Sequence, residues 1–232
     1  MSVINARGLH YRELNQRIKA LISKGEKEIT IEGVNGQRYI GDGIQDDIKL
    51  IIKGTPGNDM AAFASGIKME IHGNVQDAVA NTMNEGKLII HGNAGDISGY
   101  AMRGGKVYIK GSVGYRVGIH MKGYQEKQPT IIIGGYAGDF FGEYMAGGRL
   151  ILLGINDNSN INDKSKREII GNHVGVGMHG GSIYIRDKVK DYKVGSEVSI
   201  EKVNDEDKEE LRNNLREYCD IFEIELDEIM DA

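Results

Sequence analysis

The chain has 232 residues, of which 33 are glycine, two are proline and 40% are hydrophobic. Its one cysteine, Cys219, excludes an intrachain disulfide and a cysteine-ligated metal or iron–sulfur centre. The net charge of −5 gives no support to a nucleic-acid partner, and no signal-like or membrane-length apolar run is present, so a cytoplasmic protein is expected.

The N-terminal segment, residues 1–45, is predicted to cap the part that follows. Leu14, Ile18 and Leu21 recur on one face of a helix predicted over residues 10–24, with Gly25 as its C-cap. Two short strand-like stretches come next, EITIEG (28–33) and GQRYIG (36–41).

Residues 46–190 repeat one pattern. A glycine closes each strand-like stretch at spacings of 19, 19, 19, 24 and 19 residues: Gly54, Gly73, Gly92, Gly111, Gly135 and Gly154. The longer interval contains a five-residue insertion within residues 123–128, and a last copy, GGSIYIRD, follows a polar loop at 156–166. A short fixed period is typical of a solenoid.

Alternation within each copy predicts which side chains face inward. Two apolar rows recur in phase, one being Ile52, Ile71, Ile90, Ile109, Ile133, Leu152 and Ile185, the other Leu50, Met69, Leu88, Val107, Ile131, Leu150 and Ile183. Strand residues two apart share a face, so identical phase in every copy stacks like side chains. The predicted fold class is all-β: a right-handed, single-stranded parallel β-helix with about 19 residues per coil and flanking N- and C-terminal helices.

Two further rows have structural interpretations. One is a methionine row, predicted to fill the core rather than to bind a soft metal, and it comprises Met83, Met102, Met121, Met145 and Met178. The other is predicted to cap turns rather than to bind Ca²⁺, and it comprises Asn58, Asp77, Asp96, Tyr115 and Asp139.

The outward row is unusually apolar for a strand face. It comprises Ile51, Glu70, Ile89, Tyr108, Ile132, Ile151 and Tyr184. Either the chain's own helices or another protein should cover it, so its apolar members are candidate partner-surface residues. His173 and His179, beside the GVG turn, are added to that surface. His72 and His91 share an outward column with Lys53 and Lys110, which favours a solvated polar row over a metal site.

Residues 204–232 are predicted to form an acidic helix. They carry twelve acids and three bases, and Asn204 or Asp205 is expected to cap the N-terminus. The apolar stripe of this helix comprises Leu211, Leu215, Tyr218, Phe222, Leu226 and Ile229. The terminal helices are expected to cap the solenoid or to lie on its outward row.

No catalytic, cofactor-binding or metal-binding residue is predicted. GVGMHG (175–180) matches G-x-G-x-x-G, but a strand follows it where the dinucleotide fingerprint needs a helix.

Several stretches in order resemble a known family: GTPGNDMAAF (54–63), a repeated G-D-x-x-G/A-x-x-M-x-G-G frame, GEYMAGGRLILLG (142–154) and GVGMHGGSIYIRD (175–187). Over residues 28–190 the chain is similar to the C-terminal β-helix domain of the glutamate synthase large subunit, which is named for its glycine repeats. VNGQRYIGDG (34–43) and the helix before it resemble the stand-alone version of that domain.

The resemblance implies a non-catalytic scaffold in glutamate synthesis from glutamine and 2-oxoglutarate. Its implied partners are a flavin-bearing synthase subunit, which would carry FMN and an iron–sulfur cluster, and a glutaminase subunit; a homo-oligomer stays open. The same repeat is found in the β-helix subunit of formylmethanofuran dehydrogenase, which is the alternative. A free-standing binding protein or a carbohydrate-acting β-helix enzyme is a further alternative, and an enzyme would show a cleft with converging charged groups.

Overall fold

The computed structural model describes residues 2–155 and 168–231, and within them the strands form a single nine-stranded parallel sheet in chain order. The strands are β1 (Ser2–Asn5), β2 (Glu28–Asn35), β3 (Lys49–Thr55), β4 (Ile67–His72), β5 (Gly86–Ile90), β6 (Lys106–Ile109), β7 (Thr130–Ile133), β8 (Ala146–Leu152) and β9 (Gly180–Ile185). The α-helices are α1 (Tyr11–Ser23), α2 (Asp205–Phe222) and α3 (Leu226–Met230), and a 3-10 helix spans Asp191–Lys193. The predicted parallel β-helix with flanking helices is confirmed. The polar loop predicted at 156–166 lies outside the described residues.

Neighbouring strands pair in register, so the two predicted inner rows are confirmed. Ile71 of β4 pairs with Ile52 of β3 on one side and with Ile90 of β5 on the other. These side chains are fully buried in the interior of the solenoid. The methionine row behaves in the same way, because the side chains of Met83, Met102, Met121 and Met145 have no exposed surface. Met178 is only partly buried, since it lies in the last coil.

The turn-capping row bonds across coils rather than within them. The amide of Asp96 donates to Oδ1 of Asp77, one coil earlier (2.9 Å), and the amide of Tyr115 donates to Oδ1 of Asp96 (2.8 Å). A parallel ladder runs from Asn74 to Asn93 (2.8 Å) and on to Ser112 (2.7 Å). Each carboxylate or amide oxygen therefore fixes the position of the next coil.

The same ladder explains the glycines that precede Asp96 and Tyr115. A Cβ placed on Gly114 would lie 1.9 Å from Oδ1 of Asp96, and one placed on Gly95 would lie 2.1 Å from Oδ1 of Asp77. At these positions the glycine leaves room for the Asx oxygen of the preceding coil. That oxygen accepts a hydrogen bond from the amide of the residue that follows the glycine.

Each coil also has a turn with three left-handed residues at alternate positions, which we call the turn face. The triplets begin at 39, 59, 78, 97, 116, 140 and 173, and continue two and four residues later. In one copy, the Asp59 and Phe63 amides donate to the following coil (3.0 and 2.8 Å), whereas Ala61 donates to the preceding one (2.9 Å). These inter-coil bonds offset the cost of left-handed backbone at non-glycine residues.

The N-terminal cap differs from its prediction in two ways. GQRYIG is not a strand: Tyr39 and Gly41 adopt positive φ values of 61° and 81°, as the first copy of the turn face. An unpredicted strand, β1, precedes α1 and pairs with β2. The predicted helix is confirmed as α1, which buries Leu14 and Ile18 and closes the N-terminal end of the core.

The acidic C-terminal segment forms two helices instead of one continuous helix. Asn204 caps α2, and its side chain and that of Asp207 form a reciprocal capping box. The chain then turns at Glu223, which is left-handed (φ 57°), before α3. Among the described residues, no helix is long and apolar enough to cross a membrane.

We predict that Gly114→Ala destabilises the protein by about 1–2 kcal/mol, because the new methyl group displaces the Asp96 carboxylate from the Tyr115 amide. Chemical denaturation would measure the loss. The cost should shrink in an Asp96→Ala background, where the displaced group is absent. Gly180→Ala is the matched control, since its added Cβ would meet nothing closer than 3.4 Å. Equal costs in both backgrounds would contradict the ladder.

Candidate functional site

The outer face of the sheet is covered by the chain's own C-terminal helices. Tyr108, Ile132 and Ile151 are at most 1% exposed and form a second hydrophobic cluster with the apolar stripe of α2 and α3. These three residues are therefore not available to another protein, which corrects their assignment to the partner surface. Ile89 and Tyr184 are partly buried in the same cluster, and Ile51, nearer the N-terminus, is also half-buried.

The contacts show that α2 crosses the strands rather than following one of them. Near its start, Asp207 contacts Tyr184 of β9, and at its end the ring of Phe222 packs edge-on against His91, just after β5. Eighteen residues make a helix roughly 27 Å long, and four strand spacings amount to about 19 Å. The helix is thus long enough to span the sheet from β9 to β5.

A polar cluster around Glu217 fixes the C-terminal half of α2. Its carboxylate accepts hydrogen bonds from Lys87 and from the Tyr108 hydroxyl (2.9 Å), and Lys106 lies at 3.5 Å. Burial opposes the charge on Glu217, but the two hydrogen bonds and the two lysine charges outweigh it, so the pKa of Glu217 is lowered. Burial, together with the hydrogen bond to Glu217, raises the pKa of Tyr108.

A second polar cluster fixes the N-terminal half of α2. The Tyr184 hydroxyl lies 3.0 Å from Asp207 and 3.2 Å from Glu210, and Arg149 pairs with Glu210. Burial and the hydrogen bond to Asp207 raise the pKa of Tyr184 to about 12. Cys219 belongs to the second hydrophobic cluster, where burial raises the pKa of its thiol to about 11. It therefore packs as a small apolar residue and is not activated as a nucleophile.

The turn face carries an exposed aromatic stripe that the sequence did not predict. Phe63, Tyr100 and Tyr144 are 54%, 38% and 46% exposed. His120 stacks on Tyr144 with ring centroids 5.2 Å apart. Phe63 and Tyr144 are each the third left-handed residue of their turns, four coils apart, and Tyr100 lies edge-on to His120 with ring centroids 5.8 Å apart. No glycine marks these left-handed positions in the sequence, so they were not recognised as turns.

His173 lies on the turn face in a neighbouring row, as the first left-handed residue of its turn, whereas His179 is not part of a turn triplet. His173 stacks on Phe140 (4.7 Å), and the Arg116 guanidinium lies 4.3 Å from the Phe140 ring centroid on the preceding coil. His179 lines an open groove of about 530 Å³ at the C-terminal end of the solenoid, together with Ile183 and Tyr184 of β9. The predicted surface around residues 173–179 is thus divided between two places.

Glu70, His72 and His91 converge on the outer face of the sheet, beside the end of α2. Nε2 of His72 and Nε2 of His91 lie 3.3 and 3.4 Å from Oε1 of Glu70. The two imidazoles stack with centroids 4.6 Å apart and ring planes 13° from parallel. The prediction of a simple polar column missed this convergence. The sequence does contain a pattern that indicates it: Glu70 and His72 are two residues apart, and His91 follows His72 by one coil of 19 residues.

A protein-family model described as "GXGXG motif" matches residues 13–232. The chain belongs to the GXGXG family. It is 43% identical over 225 residues to an uncharacterized protein of Methanocaldococcus jannaschii, MJ1350, a match that covers 96% of this chain and 85% of that protein. In this member of the GXGXG family, some of the spaced glycines leave room for Asx oxygens of the preceding coil, as Gly95 and Gly114 do, and others, such as Gly54, leave room for a backbone carbonyl.

We predict different outcomes for a buried charge on the two faces of β6. Tyr108→Asp should release α2 and α3 while the solenoid stays folded, because the Tyr108 side chain belongs to the second cluster and not to the main core. Ile109→Asp should unfold the solenoid, since an unpaired charge would enter the main core. Circular dichroism and limited proteolysis of the C-terminal helices would separate the outcomes, and the same response to both changes would contradict the division into two cores.

We predict that Glu217→Gln lowers stability near neutral pH by about 0.5–1 kcal/mol, because the pairs are partly exposed. The lowered pKa of Glu217 means that its contribution is present above the carboxyl's unfolded-state pKa and disappears as the pH falls through the folded-state value. Denaturation of both proteins across acid pH should therefore show their stabilities converging. A constant difference at every pH would contradict this assignment.

Proposed function

We propose that this chain is a non-catalytic, cytoplasmic scaffold subunit of a glutamate-synthase-like complex. Its partners would be a flavin-bearing synthase chain, which carries FMN and an iron–sulfur cluster, and a glutaminase chain. The match of the GXGXG family model to residues 13–232 carries the proposal. Several stretches within the matched residues resemble one domain of the glutamate synthase large subunit.

The turn face is the surface we assign to the synthase chain. The strand face from β5 to β9 is occupied by α2, whereas Phe63, Tyr100 and Tyr144 remain exposed on different coils of the turn face. Aromatic residues are enriched in the centres of protein interfaces, because they remove a large apolar area from water with few rotatable bonds. The stacked pair Phe140–His173 extends the same surface toward the last coil.

The groove at the C-terminal end is the second contact area. Met178, Ile183 and Ile185 continue the apolar interior but are only partly buried there. A solenoid end needs a cover, because its last coil has no neighbour to pack against. His179 and Tyr184, both named as partner-surface candidates from the sequence, line this groove.

Reconstitution with purified synthase and glutaminase chains from the same source tests the proposal. We predict a stable complex by size-exclusion chromatography with light scattering. Replacing both Phe63 and Tyr144 by alanine should weaken synthase binding by at least about tenfold, which corresponds to about 1.4 kcal/mol.

Tyr124→Ala is the matched control, since Tyr124 is 58% exposed but lies in the Tyr124–Lys127 bridge and belongs to none of the left-handed turn triplets. It should leave the affinity unchanged. Failure of the chain to bind either partner would overturn the scaffold function. Binding that is insensitive to the Phe63 and Tyr144 changes would overturn only the assignment of the surface.

A further inference from the structure

The fold itself brings together three side chains of metal-binding chemistry. Glu70 and His72 are two residues apart on β4, so both point to the outer face. The in-register pairing of Ile71 with Ile90 places His91 directly beside His72 on the next coil. The rigid sheet, rather than a mobile loop, therefore determines how the three groups are spaced.

Two of the three separations between candidate ligand atoms match those of a tetrahedral zinc coordination shell. All three candidate ligand atoms lie within 4.8 Å of one another, and the two histidine nitrogens are 3.3 and 3.4 Å from Oε1 of Glu70. Ligand atoms about 2.0–2.1 Å from a tetrahedral zinc ion are separated from each other by about 3.3–3.4 Å. An ion could bind these groups with little movement of the backbone.

The surroundings hold two of these side chains in place. The ring of Phe222, at the end of α2, packs edge-on against His91 with centroids 5.5 Å apart. Lys49 lies 3.6 Å from Oε2 of Glu70 and leaves Oε1 directed toward the histidines. The end of α2 also presents the negative pole of the helix dipole on this side, which favours a cation.

We propose that Glu70, His72 and His91 bind one Zn²⁺ ion, with a fourth coordination position open to solvent. Two imidazoles and one carboxylate form a donor set that zinc accepts, and three protein ligands leave one position of a tetrahedral ion free. The side chains are 46%, 30% and 28% exposed for His72, His91 and Glu70, so water or a side chain of another protein can reach the ion.

Titration of the full-length metal-free protein with zinc chloride, followed by calorimetry, tests the site. We expect one ion per chain with a micromolar or lower Kd near neutral pH. Co²⁺ should give the intense visible absorption of a tetrahedral centre. His72→Gln and Glu70→Gln should each weaken zinc binding by at least about tenfold, which corresponds to about 1.4 kcal/mol.

His179→Gln is the matched control, because it removes an exposed histidine at the other end of the sheet. It should leave zinc affinity unchanged, and thermal unfolding without metal should show that the His72 and Glu70 variants remain folded. Zinc should also raise the melting temperature of the parent protein but not that of His72→Gln. No saturable binding, or equal binding by the parent and the His72→Gln protein, would overturn the proposal.

Discussion

The structure depends on the register between successive coils. A slip of one residue would exchange the two faces of a strand, so Ile71 would leave the core and His72 would enter it. The Asx ladder opposes such a slip, because each oxygen bonds one particular amide of the following coil. The inserted residues around 123–128 do not change the register between β6 and β7. They form a small bridge between Tyr124 and Lys127, and Tyr108 still pairs with Ile132.

The covering of the strand face by α2 determines which surfaces are left for other molecules. When the outward faces of the strands in a parallel β-helix are apolar, they must be covered. Here residues 205–230 cover them, through the apolar stripe of the helices and the two polar clusters. The surfaces that remain are chemically different from one another: an aromatic turn face, a half-covered end and a histidine–carboxylate group. The first two suit contacts with other proteins, and the third suits a metal ion. Several distinct surfaces on one chain would suit the proposed function of joining separate catalytic units.

The solenoid could be predicted from the sequence because the same alternation of apolar residues recurs in every coil. Ile52, Ile71 and their counterparts share one phase in every coil, so a single weak pattern is read many times. The turn face was missed because its left-handed positions hold residues such as Phe63 and Tyr144, whose conformation is imposed by bonds to neighbouring coils. Whether the chain's own helices or another protein cover Tyr108 could not be decided from the sequence, because the repeat pattern does not indicate what packs against the outward row. The convergence of Glu70 with two histidines needed both the strand alternation and the coil period to be applied together.

The path of α2 across the sheet also affects how the molecule unfolds. In a solenoid, each coil contacts only its neighbours, so the coils can open a few at a time from either end. Glu217 binds Lys87 of β5, whereas Asp207 and Glu210 bind the last strands, so one rigid helix joins coils that otherwise do not touch. Opening β9 alone would break its contacts with α2 and weaken the hold of that helix on every other strand. The C-terminal helix therefore makes the second half of the repeat array a single cooperative unit, which frays less and transmits force between its coils.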